Sequence, residues 1–168
     1  MRALVVGARL SLRMPRVFHK KRCLTGCSSR KRRLAEMVGG KCNCGQVRFE
    51  LSVSPSEVYI CHCSICRRAT GSNGIAVILV ANEDFAWTSG EDLIASWKKP
   101  DADWQLWFCP VCASPLPGRN DDQRMFIPAG TLDDGAEHLH VGHHIWVNSK
   151  TSWDVIGDSG KQHPESIT

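Results

Sequence analysis

The chain is short of several features, and each shortage narrows it. None of its 168 residues belongs to a run approaching the roughly 20 apolar residues that a bilayer-spanning helix requires, so no membrane segment is expected. Acidic residues are nearly missing from positions 1 to 36, where eleven of the 21 Lys and Arg stand against Glu36 alone. The other ten basic residues then face sixteen of the seventeen acids, which makes the body of the chain acidic. A basic nucleic-acid face is therefore not expected on the domain, and any such role falls to the basic tail. Also absent is the ferredoxin run of cysteines with its trailing Pro, which sets iron–sulfur ligation aside. What remains is an ordinary domain length, with 42% hydrophobic content and six Trp to fill a core.

Cysteine is what the chain has in excess. Seven of the nine fall into three clusters, Cys42-Asn43-Cys44-Gly45, Cys61-His62-Cys63-Ser64-Ile65-Cys66 and Cys109-Pro110-Val111-Cys112. Disulfides explain them poorly, because a C-x-C pair is too close for an easy bridge and an odd set strands one thiol. Paired thiolates from one tight turn converge on a single ion, and all-sulfur ligation favours zinc over magnesium, calcium or manganese. Four thiolates close a tetrahedral, structural site, whereas three leave a position for water or substrate. The count thus predicts two zinc ions of different character. Cys42 and Cys44 lead one strand and Cys109 and Cys112 trail another, so joining these half-sites would make a four-thiolate staple. Cys61, Cys63 and Cys66 would then be the open set. Spacing alone also admits Cys109 and Cys112 joining two of the central three.

The periodicity from Cys42 onward is that of short strands. Val47, Phe49, Leu51 and Val53 alternate with polar residues, and Ser54-Pro55-Ser56 ends the pattern. Ile75 to Val80 reads as a strand covered on both faces, and Trp104, Leu106 and Phe108 alternate into Cys109. Further strands are expected over 125–129 and 140–147. Ser64 to Ala69 alone reads as a helical turn, opened by a Ser cap and closed before Gly71. The fold class is mainly β with very little helix.

Three regions follow: a basic extension over 1–37, a zinc-binding domain over 38–157 and a tail over 158–168. The extension is read first as a disordered tail or an upstream start-site artefact, since Met37 immediately precedes the first motif. In that reading Cys23 and Cys27 are incidental. Its Arg-rich amphipathic start also resembles a mitochondrial transit peptide, and Arg30-Lys31-Arg32-Arg33 a weak nucleic-acid signal, in that order. A cytoplasmic protein is expected, or a mitochondrial one if residues 1–36 serve as a transit peptide.

Motifs spread over residues 38 to 157 carry a resemblance. They are Gly40-Lys41-Cys42-Asn43-Cys44-Gly45, Cys61-His62-Cys63-Ser64-Ile65-Cys66-Arg67-Arg68 with Gly71-Ser72, Phe108-Cys109-Pro110-Val111-Cys112, Gly130-Thr131-Leu132-Asp133, and His144-Ile145 with Trp153. In this order they resemble the glutathione-dependent formaldehyde-activating enzyme family, whose domain is shared with centromere protein V. The resemblance implies an Mss4-like β fold, a structural zinc on Cys42, Cys44, Cys109 and Cys112, and a catalytic zinc on Cys61, Cys63 and Cys66. It further implies a carbon–sulfur lyase that joins formaldehyde to glutathione as S-hydroxymethylglutathione. One departure is Ala113, where the family usually has Gly, tolerable unless the backbone there needs a positive φ.

Other residues are read conservatively. His62 is expected to point away from the ion, because neighbours on an extended chain face opposite sides. His138, His140, His143 and His144 are scattered by strand alternation and expected at the surface, with His144 the one to test as a proton carrier or as a donor to a ligand. Asp133 is read as a turn former, Arg67 and Arg68 as solvated surface, and Trp87, Trp97, Trp104, Trp107, Trp146 and Trp153 as core and rim packing. No substrate pocket is marked. Two functional classes stand: a zinc-dependent lyase acting on a small-molecule thiol adduct, and a zinc-stapled binding module whose basic tail meets a partner. The coordination of the second ion discriminates them, since a fourth protein ligand would favour the module.

Overall fold

In the computed structural model, which describes residues 37–133 and 135–167, eleven short strands surround one helix. The chain order is β1 (Val38–Lys41), β2 (Arg48–Leu51), β3 (Glu57–Cys61), α1 (Ser64–Thr70), β4 (Ile75–Ala81), β5 (Phe85–Ser89) and β6 (Ala95–Lys98). There follow β7 (Gln105–Phe108), β8 (Gly118–Arg119), β9 (Arg124–Pro128), β10 (His140–Ile145) and β11 (Lys161–Gln162). The expectation of a mainly β fold holds. The readings placed on residues 1–36 lie outside the described residues. No helix among the described residues is long and apolar enough to cross a membrane.

Strands β1, β2 and β5 form a three-stranded antiparallel sheet, and β11-β10-β3-β4-β9-β8 a six-stranded mixed one. Val38, Phe49 and Leu51 from the first sheet and Val58, Ile78, Val80 and Ile127 from the second make one buried cluster. Burying a side chain of this size contributes roughly 1.5–3 kcal/mol. Phe49 packs its ring on Gly40, where a β-carbon would collide with it, and lies edge-on to Trp87 at 6.0 Å between centroids. The alternation of Val47, Phe49 and Leu51 is therefore a buried face, as expected. Strand β4 differs from expectation: Ile78 and Val80 are buried, while their neighbours Val77 and Leu79 are only half-buried. Its alternate residues Ile78 and Val80 therefore form the face that packs into the core.

A second, smaller core consists of Cys42, Val47, Cys109 and Leu116, with Trp107 and Trp87 against it. Two of its members are candidate metal ligands, so the metal cluster and the core are one structure here. The six-stranded sheet is closed by residues beyond the expected domain boundary. In the stretch 158–167, separated as a tail in the sequence reading, Lys161–Gln162 pairs in parallel with His143 and His144 of β10. Strand β10 in turn pairs in parallel with β3, with an irregularity between Val141 and His143. Those parallel partners bring residue 144 beside residue 60, and hence β10 beside the central cysteine cluster.

Candidate metal centres

The two groups of sulfur separate as four and three. The Sγ atoms of Cys42, Cys44, Cys109 and Cys112 lie within 4.8 Å of one another, and so do those of Cys61, Cys63 and Cys66. The alternative partition, with Cys109 and Cys112 joining the central cysteines, is not the one the fold makes. All seven thiols are free, and the contacts of 3.4 Å from Cys42 to Cys44 and 3.7 Å from Cys44 to Cys109 are far longer than a disulfide. A tetrahedral ion at about 2.3 Å from each sulfur would set them about 3.8 Å apart. The four-thiol spacing fits such an ion, and both clusters could hold metal in a manner consistent with zinc.

Each half of the four-thiol cluster is a turn that aims backbone N–H groups where a thiolate needs them. Val47 N–H donates to Cys42 Sγ at 3.4 Å, and Gly45, at φ 75°, reverses the chain after Cys44. On the other half, the Cys109 N–H donates to the Ser114 carbonyl at 3.0 Å and the Ala113 N–H to the Cys109 carbonyl at 2.8 Å. That turn places Ala113 at φ 58°, so the backbone does need the left-handed region at this departure from the family pattern. Asn43 N–H donates to Ser114 Oγ at 2.9 Å and ties the two halves together. The Ser114 hydroxyl and N–H beside Cys112 hold its thiol down to about 5. Cys44 goes the other way, to about 12, because the thiols around it compete for the same charge.

The three-thiol cluster is built by the end of β3 and the start of α1. The expected Ser cap is displaced by one residue: Cys63 caps the helix, its sulfur accepting the Cys66 N–H at 3.4 Å. A helix-capping sulfur is an acceptor, and with the thiols of Cys61 and Cys66 also donating to it the Cys63 thiol is held far below its ordinary range. Cys61 is correspondingly pushed up to about 11 by Cys63, and Cys66 is raised by Cys61 and Cys63. Helix α1 ends at Gly71, φ 67°, as expected. Gly74 then passes so close to the cluster that a β-carbon would meet the Cys61 carbonyl at 2.7 Å.

His62 is not grouped with the three sulfurs, and no fourth His, Cys, Asp or Glu among the described residues joins them. Its surroundings were not legible in the sequence. His62 is 2% exposed, and its Nε2 meets Nδ1 of the equally buried His144 at 2.9 Å. His144 Nε2 meets Asp158 Oδ1 at 2.8 Å, and His62 Nδ1 lies 2.9 Å from Asp154 Oδ2. This last contact is short but off the hydrogen-bond line, and neither atom has another partner. His144, singled out among the histidines as the candidate proton carrier or donor, lies in the core, where the loop after β3 supplies a facing imidazole. His143 is half-buried, stacked on Tyr59 at 4.9 Å with its Nδ1 3.0 Å from His163 Nε2, while His138 and His140 are exposed as expected.

Arg67 is a correction. Instead of lying free on the surface, its guanidinium donates to the His62 carbonyl at 3.2 Å and to the Ser149 carbonyl at 3.1 Å. Arg68 is exposed, as expected. Asp133 pairs with Lys41 at 2.9 Å on the rim of a cleft of about 450 Å³. Cys42, Thr70 and Gly74 also line this cleft, and the Thr70 hydroxyl donates to the Cys66 carbonyl at 3.1 Å. Trp87 and Trp107 pack in the core as expected, whereas Trp97 and Trp153 are more than half exposed.

Fold and clusters together define a small, mainly β domain built around two thiol centres that could hold metal, one complete in protein ligands and one short of a fourth. Residues 37–149 match the family described as glutathione-dependent formaldehyde-activating enzyme, and the chain belongs to that family. A Halomonas elongata protein named after the same family is 32% identical over 85 residues, which cover 48% of this chain and 54% of that protein. The chain thus spans about half the length of this curated relative. Among solved structures, a crystal structure of a Rhodobacter sphaeroides protein is similar at a TM-score of 0.47 and 21% identity, covering 57% of this chain and 88% of that one.

Proposed function

We propose that the protein is a zinc-dependent carbon–sulfur lyase that interconverts glutathione plus formaldehyde and S-hydroxymethylglutathione. The observation that carries this reading is the three-thiol cluster. Its sulfurs converge like ligands, and no fourth protein ligand stands among the described residues. An ion held there would offer its open position to a substrate thiol, lower that thiol's pKa and keep it as a nucleophilic thiolate. In the reaction the substrate sulfur forms a bond to the formaldehyde carbon and the carbonyl π bond opens. The thiol proton ends on the new hydroxyl oxygen, so atoms and charge balance.

The protein's own residues would hold and orient the partners. Cys61, Cys63 and Cys66 would fix the ion, and the four-thiol cluster would fix the turn of Cys42 to Gly45 beside the cleft. Lys41 and Asp133, paired with each other at 2.9 Å on the cleft rim, would exchange that pair for the carboxylate and amino group at the γ-glutamyl end of glutathione.

The test is exchange spectroscopy with carbon-13 formaldehyde and glutathione, with the spontaneous addition measured separately and subtracted. Interconversion between hydrated formaldehyde and the hydroxymethyl thioether is expected to quicken with the zinc-loaded chain. Cys63→Ser should return it to background. A loaded chain that never exceeds the spontaneous rate would sink the lyase reading and leave the binding module.

A further inference from the structure

Asp154, His62, His144 and Asp158 form a row that the proposed chemistry does not use. Its members come from three separate stretches of chain: the loop between β3 and α1, strand β10, and the segment after β10. Three of the four are at most 6% exposed, and the close contacts along the row offset part of the cost of burying them. Asp154 is the far anchor. Its other carboxylate oxygen accepts from Asn73 Nδ2 at 2.7 Å, and its carbonyl accepts from Lys150 Nζ at 2.7 Å.

The row matters because of where His62 stands. Its neighbours in sequence are Cys61 and Cys63, and its ring meets His144 instead of joining the three sulfurs. Its backbone is committed as well, since its N–H donates to the Ile145 carbonyl at 3.0 Å and its carbonyl accepts from Arg67. A residue held at both backbone groups and at the ring is a pivot, and fixing it fixes the directions from which Cys61 and Cys63 approach an ion. A cluster with only three protein ligands has no fourth to correct a misplaced sulfur, so it depends more heavily on such a pivot.

We propose that Asp154 is a positioning residue for the three-cysteine cluster, acting through the ring of His62, with His144 and Asp158 as the opposite anchor. The inference rests on the reading that this cluster holds a metal ion. Groups that orient ligands from behind typically change metal affinity about 10- to 100-fold when removed. Asp154→Asn keeps the shape, keeps an acceptor for Asn73 and can donate its amide N–H to His62 Nδ1. Asp154→Leu keeps the volume and loses both.

The experiment uses the full zinc-loaded chain and follows zinc transfer to increasing concentrations of a chromophoric chelator, together with the sulfur-to-metal charge-transfer spectrum after cobalt(II) exchange. Wild type is expected to release two ions in separate phases. In Asp154→Leu the weaker phase should shift about 10- to 100-fold towards the chelator with an altered cobalt spectrum, while the tighter phase stays in place. Asp154→Asn should stay within about threefold of wild type. If Asp154→Leu fails to fold, Asp158→Ala at the half-exposed end of the row should weaken the same phase several-fold. Wild-type affinity and spectrum in a folded Asp154→Leu, or in Asp158→Ala, would overturn the proposal. A wild-type chain that releases only one ion would overturn the reading beneath it as well.

Discussion

At the scale of single residues, Ala113 is the position where local conformation and side chain disagree. A left-handed backbone sets Cβ against the neighbouring carbonyl and costs roughly 1–2 kcal/mol in any residue but Gly. Ala113 accepts φ 58° because the turn from Cys109 to Ser114 must reverse within five residues and bring both Sγ atoms to one point. Ala113→Gly relieves that strain and gives back part of the gain through the greater freedom of the unfolded chain. A net stabilisation of about 1 kcal/mol is expected, read as a higher urea midpoint at unchanged slope. A lower midpoint would show that the turn is not left-handed in solution.

Among the elements, the segment after β10 is the one whose contribution depends on pH. Hydrogen bonds from His144 and from the Gly160 N–H hold the Asp158 carboxyl below its ordinary value of 3.8. Because the folded pKa is the lower one, the stabilisation is fully present above the unfolded value. It is lost as pH falls through the depressed folded value. Asp158→Asn lacks this dependence. The difference in denaturation midpoint between wild type and Asp158→Asn should hold steady from pH 7 down to about 4 and shrink below it. A difference that grows on acidification would contradict the sign of the shift. The same segment shows how a β edge can be completed late in a chain, with two residues of β11 pairing to β10, Asp158 meeting His144 of β10 and Asp154 reaching back to His62 in the cysteine loop.

For the whole molecule, the two thiol centres differ in what they hold together, and that difference was partly legible in the sequence. Cysteine spacing and the alternation of Val47, Phe49 and Leu51 are local signals, and the structure keeps both. The pairing of β10 with β3, the facing of His62 and His144 across 82 positions, and the approach of Asp154 are products of tertiary register that no local pattern carries. The positive φ at Ala113 likewise follows from the fold around Cys109. With register in hand, the two centres separate cleanly. Cys42 and Cys109 have no exposed surface and form the second core with Val47 and Leu116, so their sulfurs are core side chains as well as candidate ligands. Cys61, Cys63 and Cys66 stand at the end of β3, at the helix cap and in the first turn of α1, a segment that His62, Arg67 and Asp154 brace through protein contacts. A structural zinc contributes on the order of 10 kcal/mol to folding, which is comparable to the roughly 5–15 kcal/mol that stabilises a whole domain. Cys109→Ser should therefore abolish the cooperative thermal transition and the near-ultraviolet circular dichroism of the packed Trp residues. Cys63→Ser should keep both, with a melting temperature within a few degrees of wild type, while losing one ion and the proposed activity. If Cys109→Ser melted like wild type, or if Cys63→Ser unfolded, the division into a structural and a working centre would be wrong.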